Sequence, residues 1–147
     1  MQTAERHSGQ EQADQVIHHR HLIAYQEAAK RISGNVLEIG SGEGYGLKML
    51  APLATKYFAV DKHATPIADG LTNVVFHQTK IPPLAGIEDQ SMDFVVSFQV
   101  IEHIRNDRFF LEEAFRVLKP GGTLILTTPN KLMSLTRNPW HVREYKP

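Results

Sequence analysis

The stretch Val36-Leu37-Glu38-Ile39-Gly40-Ser41-Gly42-Glu43-Gly44-Tyr45-Gly46 constrains the fold more than any other. An aliphatic run breaks into alternating glycines and resumes at Tyr45 with helical spacing, the signature of a strand, a tight turn and a helix. Further apolar runs at Tyr57–Val60, which closes on Asp61, and at Val74–His77, Asp93–Phe98 and Thr123–Thr127 read as four more strands. They are β-branched and continuous, as in a parallel sheet covered on both faces. Helical stretches separate them. The expectation is a Rossmann-like doubly wound α/β/α sandwich with a mostly parallel sheet and right-handed crossovers.

Between Glu11 and Ser33 the residues Val16, Ile17, Ala24, Ala28 and Ile32 recur at helical intervals, and Gly34 reads as the stop. A helix from Tyr45 to Ala51 is ended or kinked by Pro52. Asn106 or Asp107 caps another, with Phe110, Ala114, Val117 and Leu118 on one face and Lys119-Pro120-Gly121-Gly122 at its end. With 147 residues, a single domain is expected over 11–147, after a flexible tail at 1–10. Its parts are the helix 11–33, a core at 34–130 and a substrate-side segment at 131–147.

Sixteen basic residues balance sixteen acidic ones, so no net field gathers nucleic acid or an anionic membrane. Absence of cysteine excludes a disulfide framework and a thiolate metal site. No apolar run approaches the roughly 18 residues of a membrane span, and the polar start MQTAERHSGQEQADQ lacks the apolar centre of a signal peptide, so a cytoplasmic location is expected.

The glycine turn sits where an open α/β sheet binds its ligand. It is not a P-loop, because counting from Gly42 gives Leu47 in place of the last glycine and, after Lys48, Met49 in place of the hydroxyl. It also departs from G-x-G-x-x-G. Glu38 and Glu43 would repel a pyrophosphate in a partly desolvated turn, whereas a ligand with a sulfonium and an ammonium group is attracted to them. Glu38 has an alternative role, accepting backbone N–H bonds from the turn. Asp61 follows Gly40 by roughly 20 residues, the spacing at which a carboxylate takes ribose hydroxyls.

VLEIGSGEGYG, AVDK, DFVVSFQVIEHI and RVLKPGGTLILTTPN, in this order over about residues 34–130, resemble the class I S-adenosylmethionine-dependent methyltransferases. The likeness is to the methyltransferase type 11 kind, with some similarity to the O-methyltransferases of quinone precursors. The resemblance implies S-adenosylmethionine as cofactor and S-adenosylhomocysteine as product. It implies that Glu38, Gly40, Ser41, Gly42, Gly44 and Tyr45 surround the methionine part, that Asp61 holds the ribose and that Lys62 flanks the adenine. Gln78, Thr79, Lys80 and Ile81 would approach the adenine edge, and Ser97, Phe98 and Gln99 would line the floor under the methyl group. Many relatives carry an Asp after the third strand where this chain has Thr79-Lys80, so adenine is left to backbone groups or Gln78. The family's last two strands form a hairpin beside the fifth, and this chain stops before them. Thr123–Thr127 is therefore expected to be an apolar edge, covered by a further C-terminal segment or a partner chain.

Transfer from a sulfonium needs orientation, exclusion of water and a base for the acceptor. Glu102, His103 and His141 are the catalytic candidates, His141 first. Gln99-Val100-Ile101-Glu102-His103 resembles the E-x-x-E-H segment of metal-dependent O-methyltransferases, but Gln99 replaces the first carboxylate, and no metal is assigned. His18, His19 and His21 read as a solvated helix face, and Tyr25 as a shield over the cofactor. Ser97-Phe98-Gln99-Val100 lacks the [NDS]-P-P-[YF] of enzymes that methylate base amines. The expected function is methyl transfer to a small molecule, most readily to oxygen. A non-catalytic domain that binds the cofactor or S-adenosylhomocysteine and acts through a partner is the alternative, and a nicotinamide oxidoreductase is disfavoured by Glu38 and Tyr45.

Overall fold

The computed structural model describes residues 12–134 and 138–147. The tail assigned to 1–10 lies outside them, as do the side chains of Val16, Ile17 and His18. Eight main elements follow in chain order: α1 (Gln12–Ala29), β1 (Asn35–Ile39), α2 (Tyr45–Leu50), β2 (Lys56–Asp61), β3 (Val74–Gln78), β4 (Met92–Phe98), α3 (Asp107–Val117) and β5 (Leu118–Thr127). Single turns of tighter helix lie at Ala51–Leu53, Ile101–His103 and Lys131–Met133.

All strand pairs are parallel, in the order β3-β2-β1-β4-β5. The chain winds outward from β1 to one side, then crosses to β4 on the other. The order therefore reverses between β1 and β4, and a crevice opens beyond their carboxyl ends.

Strand parity sorts the core into two layers. Val36, Tyr57, Ala59, Val96 and Phe98 pack on Tyr25, Ala28 and Ile32 of the α1 region and on Leu47 and Leu50 of α2. Leu37, Ile39, Val60 and Val95 face Phe110, Ala114 and Val117 of α3, with Leu84 and Ile87 of the β3–β4 connection. Both faces are covered, which explains the unbroken apolar runs.

Asn106 caps α3 by accepting from the Phe109 amide at 3.1 Å. Two boundaries differ from the sequence reading. α1 ends at Ala29, and Arg31 and Ile32 amides close on the Ala28 carbonyl, so Gly34 serves the next turn instead of stopping the helix. Gly34 has φ +68°, and a Cβ there would strike the Asp93 carboxylate, which accepts from the Asn35 amide at 2.8 Å and from Lys119 Nζ at 2.8 Å. Leu118 belongs to β5, not to the face of α3: Met92 pairs with Leu118 and Phe94 with Thr123, so Lys119-Pro120-Gly121-Gly122 forms an irregularity inside the ladder. Among the described residues β5 borders only β4 within the sheet.

Candidate active site

A cavity of about 370 Å³ opens at the crevice beyond β1 and β4. That volume is within the usual range for small-molecule pockets. Part of its wall is the glycine turn. Gly40 and Ser41 amides bond the Val60 carbonyl at 2.8 and 3.3 Å, which lashes the turn to the end of β2. Gly44 takes φ +79°, and a Cβ there would lie 2.7 Å from the Pro66 carbonyl oxygen, so only glycine fits. Thr65 Oγ1 donates to the Gly42 carbonyl at 3.0 Å and therefore accepts from Ser41 Oγ at 2.8 Å.

Asp61 ends β2 on the cavity wall. Its Oδ2 accepts from the Gly42 amide at 2.9 Å and its Oδ1 from the His63 amide at 2.8 Å. The carboxylate is thus fixed in place at the mouth, and a carboxylate has capacity for about four such bonds.

Gly40, Ser41, Gly42, Tyr45, Asp61, Lys62, Lys80, Phe98, Gln99 and His103 of the expected site line this cavity, together with Glu43, Ile81 and Tyr25. Glu38, Gly44, Gln78, Thr79, Ser97, Glu102 and His141 do not form its wall. Ser97 is buried and donates to the Ile39 carbonyl at 3.1 Å, joining β4 to β1. Gln78 donates to the Lys62 carbonyl at 3.3 Å, and Thr79 donates its amide to the Asp61 carbonyl at 2.9 Å and its hydroxyl to the Lys80 carbonyl at 3.4 Å.

Glu38 lies under the turn, 1 % exposed, and accepts from Tyr25 Oη at 2.7 Å and Tyr57 Oη at 2.9 Å. Where the alternative reading gave it backbone amides of the turn, the hydroxyls of two tyrosines are found instead. Burial pushes the carboxyl up to about 7, against the two tyrosine bonds, which lower it. Gly46 of α2 leaves the space: a Cβ there would collide with the Glu38 carboxylate and the Tyr25 ring. Tyr25 also stands edge-on to Phe98, ring centroids 4.8 Å apart, and so brings α1 to the cavity wall.

His21, four residues before Tyr25 and hence on the same helix face, lines the cavity as well, which corrects the reading of a wholly solvated histidine face. The i, i+4 spacing to Tyr25 was the available signal. His63, Val100 and Ile104 are the other wall residues sequence reasoning missed; His63 follows Asp61 by two positions, which was the available clue.

Another part of the wall carries His103. Its Nδ1 lies 3.0 Å from the Trp140 carbonyl, which can only accept, so Nδ1 bears the hydrogen and Nε2 the lone pair. Behind it, Glu102 is 1 % exposed, with one oxygen 4.0 Å from His103 Nε2 and the other accepting from Thr128 Oγ1 at 3.2 Å. Desolvation raises the Glu102 carboxyl above its ordinary range. The ring of His141 stands edge-on to that of His103, centroids 5.0 Å apart. One donor atom from each of Glu102, His103 and His141 lies within 4.8 Å of the others, a set of two imidazoles and a carboxylate that suits a divalent ion. Gln99, at φ +57°, donates its side-chain amide to Thr127 Oγ1 at 3.3 Å.

The segment 138–145 is strapped over this wall. Val142 and Arg143 amides bond the Glu102 carbonyl at 2.8 and 3.3 Å, Tyr145 Oη donates to Asp107 at 2.8 Å, and Arg143 pairs with the same carboxylate. These two partners hold Asp107 below the usual carboxylate range, Arg143 contributing more.

A family model described as a methyltransferase domain matches residues 10–145. A probable S-adenosylmethionine-dependent methyltransferase of Mycolicibacterium smegmatis is 38 % identical over 133 residues, 85 % of this chain and 52 % of the relative. The mitochondrial ubiquinone biosynthesis O-methyltransferase of Rattus norvegicus is 29 % identical over 120 residues, 71 % of this chain and 34 % of the relative. The chain spans about half the length of the first and a third of the second. In fold it matches the YcgJ protein of Bacillus subtilis with a TM-score of 0.70, at 24 % identity, over 86 % of this chain and 63 % of that one.

Proposed function

The chain belongs to the class I S-adenosylmethionine-dependent methyltransferases, and on that premise we propose that it transfers the methyl group of S-adenosylmethionine to an oxygen of a small-molecule acceptor. The observation that carries the reading is one cavity with two chemically distinct walls, a carboxylate-bearing glycine turn and an imidazole with its lone pair at Nε2. Gly40–Gly42, Tyr45 and Asp61 would hold the methionine and ribose parts, and Lys62, Lys80 and Ile81 would border the adenine. Bound S-adenosylmethionine supplies the electrophilic methyl group.

His103 acts as general base on the acceptor hydroxyl, and the imidazolium it becomes is balanced by Glu102 behind it. His141 supports that ring through its edge-on contact. Likeness to ubiquinone O-methyltransferases supports oxygen as the target and a small, hydroxylated acceptor. A balanced overall charge supports the absence of a nucleic-acid partner.

A second reading, a domain that binds the cofactor or S-adenosylhomocysteine and acts through a partner, is favoured by the side of β5 that pairs with no strand among the described residues, where a partner chain or a further segment of a longer protein would pair.

Calorimetry with S-adenosylmethionine, S-adenosylhomocysteine and NAD tests the cofactor; heat with NAD alone would overturn the family-based reading. Transfer of labelled methyl to phenolic acceptors, with and without EDTA, tests the rest. Turnover that resists EDTA supports His103 as an unaided base, loss with EDTA assigns the Glu102-His103-His141 set to a metal, and cofactor binding without turnover in any acceptor favours the second reading.

A further inference from the structure

His141 Nδ1 lies 3.0 Å from Glu144 Oε1, and both side chains are close to 10 % exposed, at 11 and 9 %. A carboxylate that accepts from one imidazole nitrogen decides which nitrogen carries the hydrogen, and so which carries the lone pair. The Trp140 carbonyl decides the same question for His103. The two rings that meet edge-on are therefore governed by two acceptors from one short stretch of chain, 140–144, whose backbone is itself anchored to the Glu102 carbonyl through Val142 and Arg143.

We propose that Glu144 is a positioning residue of the acceptor-side wall, which holds His141 in its Nδ1–H tautomer so that Nε2 is the acceptor nitrogen of the ring that packs edge-on against His103. The inference rests on the methyltransferase reading for its consequence, though not for its test. In the opposite tautomer His141 would carry its N–H at Nε2 and leave Glu144 without that donor. With Nδ1–H turned to Glu144, both of the rings that meet edge-on keep their lone pair at Nε2. Glu144 touches neither cofactor nor acceptor in this scheme; it acts through His141.

Long-range nitrogen–proton correlation of the histidine rings, recorded without cofactor or acceptor at a pH where the rings are neutral, reads the tautomer directly. His141→Gln assigns the signal. In the wild-type chain the His141 Nε2 is expected to resonate as the unprotonated, pyridine-type nitrogen. Glu144→Ala should pass that character to Nδ1, and Glu144→Gln, whose amide oxygen still accepts, should restore the wild-type pattern. A wild-type ring protonated at Nε2 overturns the proposal without recourse to any variant, as does a Glu144→Ala ring that keeps Nδ1–H. In an acceptor assay Glu144→Ala should lower kcat about tenfold or more with KM for S-adenosylmethionine unchanged. Failure of the chain to bind S-adenosylmethionine would sink the methyltransferase reading and leave the tautomer measurement standing.

Discussion

The two walls of the cavity are built by different means. On the cofactor side, backbone bonds from Gly40, Ser41 and Gly42 to β2 and glycine-only dihedrals fix the turn, and the buried Tyr25-Glu38-Tyr57 group supports it from below. On the side proposed for the acceptor, His103 hangs on a carbonyl of a strap that is held by a few side chains and three amides, those of Val142 and Arg143 on the Glu102 carbonyl and that of Lys131 on the Tyr145 carbonyl. Rigid backbone serves a ligand whose shape is constant. A wall made of side chains can be rewritten for a different acceptor without disturbing the sheet, which is how one fold hosts many chemistries.

If the walls are separable in function, His103→Gln should reduce methyl transfer by about 10²- to 10⁴-fold, the usual share of a general base, and leave S-adenosylhomocysteine affinity within error by calorimetry. Loss of both together would break the division. Asp61→Ala is the converse. Removing a charged acceptor from a ligand contact costs about 1.5–3 kcal/mol, so affinity for S-adenosylhomocysteine should fall roughly 10- to 150-fold in the same titration.

A smaller effect sharpens the account of the support under the turn. Glu38 has its folded pKa raised to about 7 from 4.5, so the folded state holds a proton that the unfolded state releases between these values. Its stabilising contribution is complete below about pH 4.5 and is lost as pH rises through about 7. Urea unfolding of the wild type should therefore weaken across that window relative to Glu38→Gln, by up to a few kcal/mol, and a constant difference between the two would refute it. The smallest effect belongs to the strap. Asp107→Asn should speed hydrogen exchange at the Val142 and Lys131 amides severalfold while the β1 and β4 amides keep their protection, because the pairs it weakens are surface contacts.

The same division explains what was legible beforehand. Apolar runs and glycine spacing are local signals, and they located β1 to β5, the turn and Asp61. Glu38 was placed next to the turn, but its two tyrosine partners were not foreseen. Its parity with Val36 puts its side chain in the α1 and α2 layer, where Tyr25 and Tyr57 meet it across 13 and 19 residues of sequence. Local spacing says nothing about such pairings. His141 packs edge-on against His103 and is not part of the cavity wall, because the strap's course is set by the carbonyl of Glu102 and the carboxylate of Asp107, more than 30 residues upstream. Leu118 continued the helical period of Phe110, Ala114 and Val117, and only pairing with Met92 assigns it to β5.

Gly34, Asn35, Asp93 and Lys119 are knotted together where β1 and β4 begin, at the far end of the sheet from the crevice. Lys56, exposed at the start of β2, lies at that same end, since it pairs with Asn35. A probe or surface tether attached through a cysteine introduced there would hold the molecule by its base with the mouth pointing outward, so binding could be followed on an oriented layer without the anchor obstructing entry.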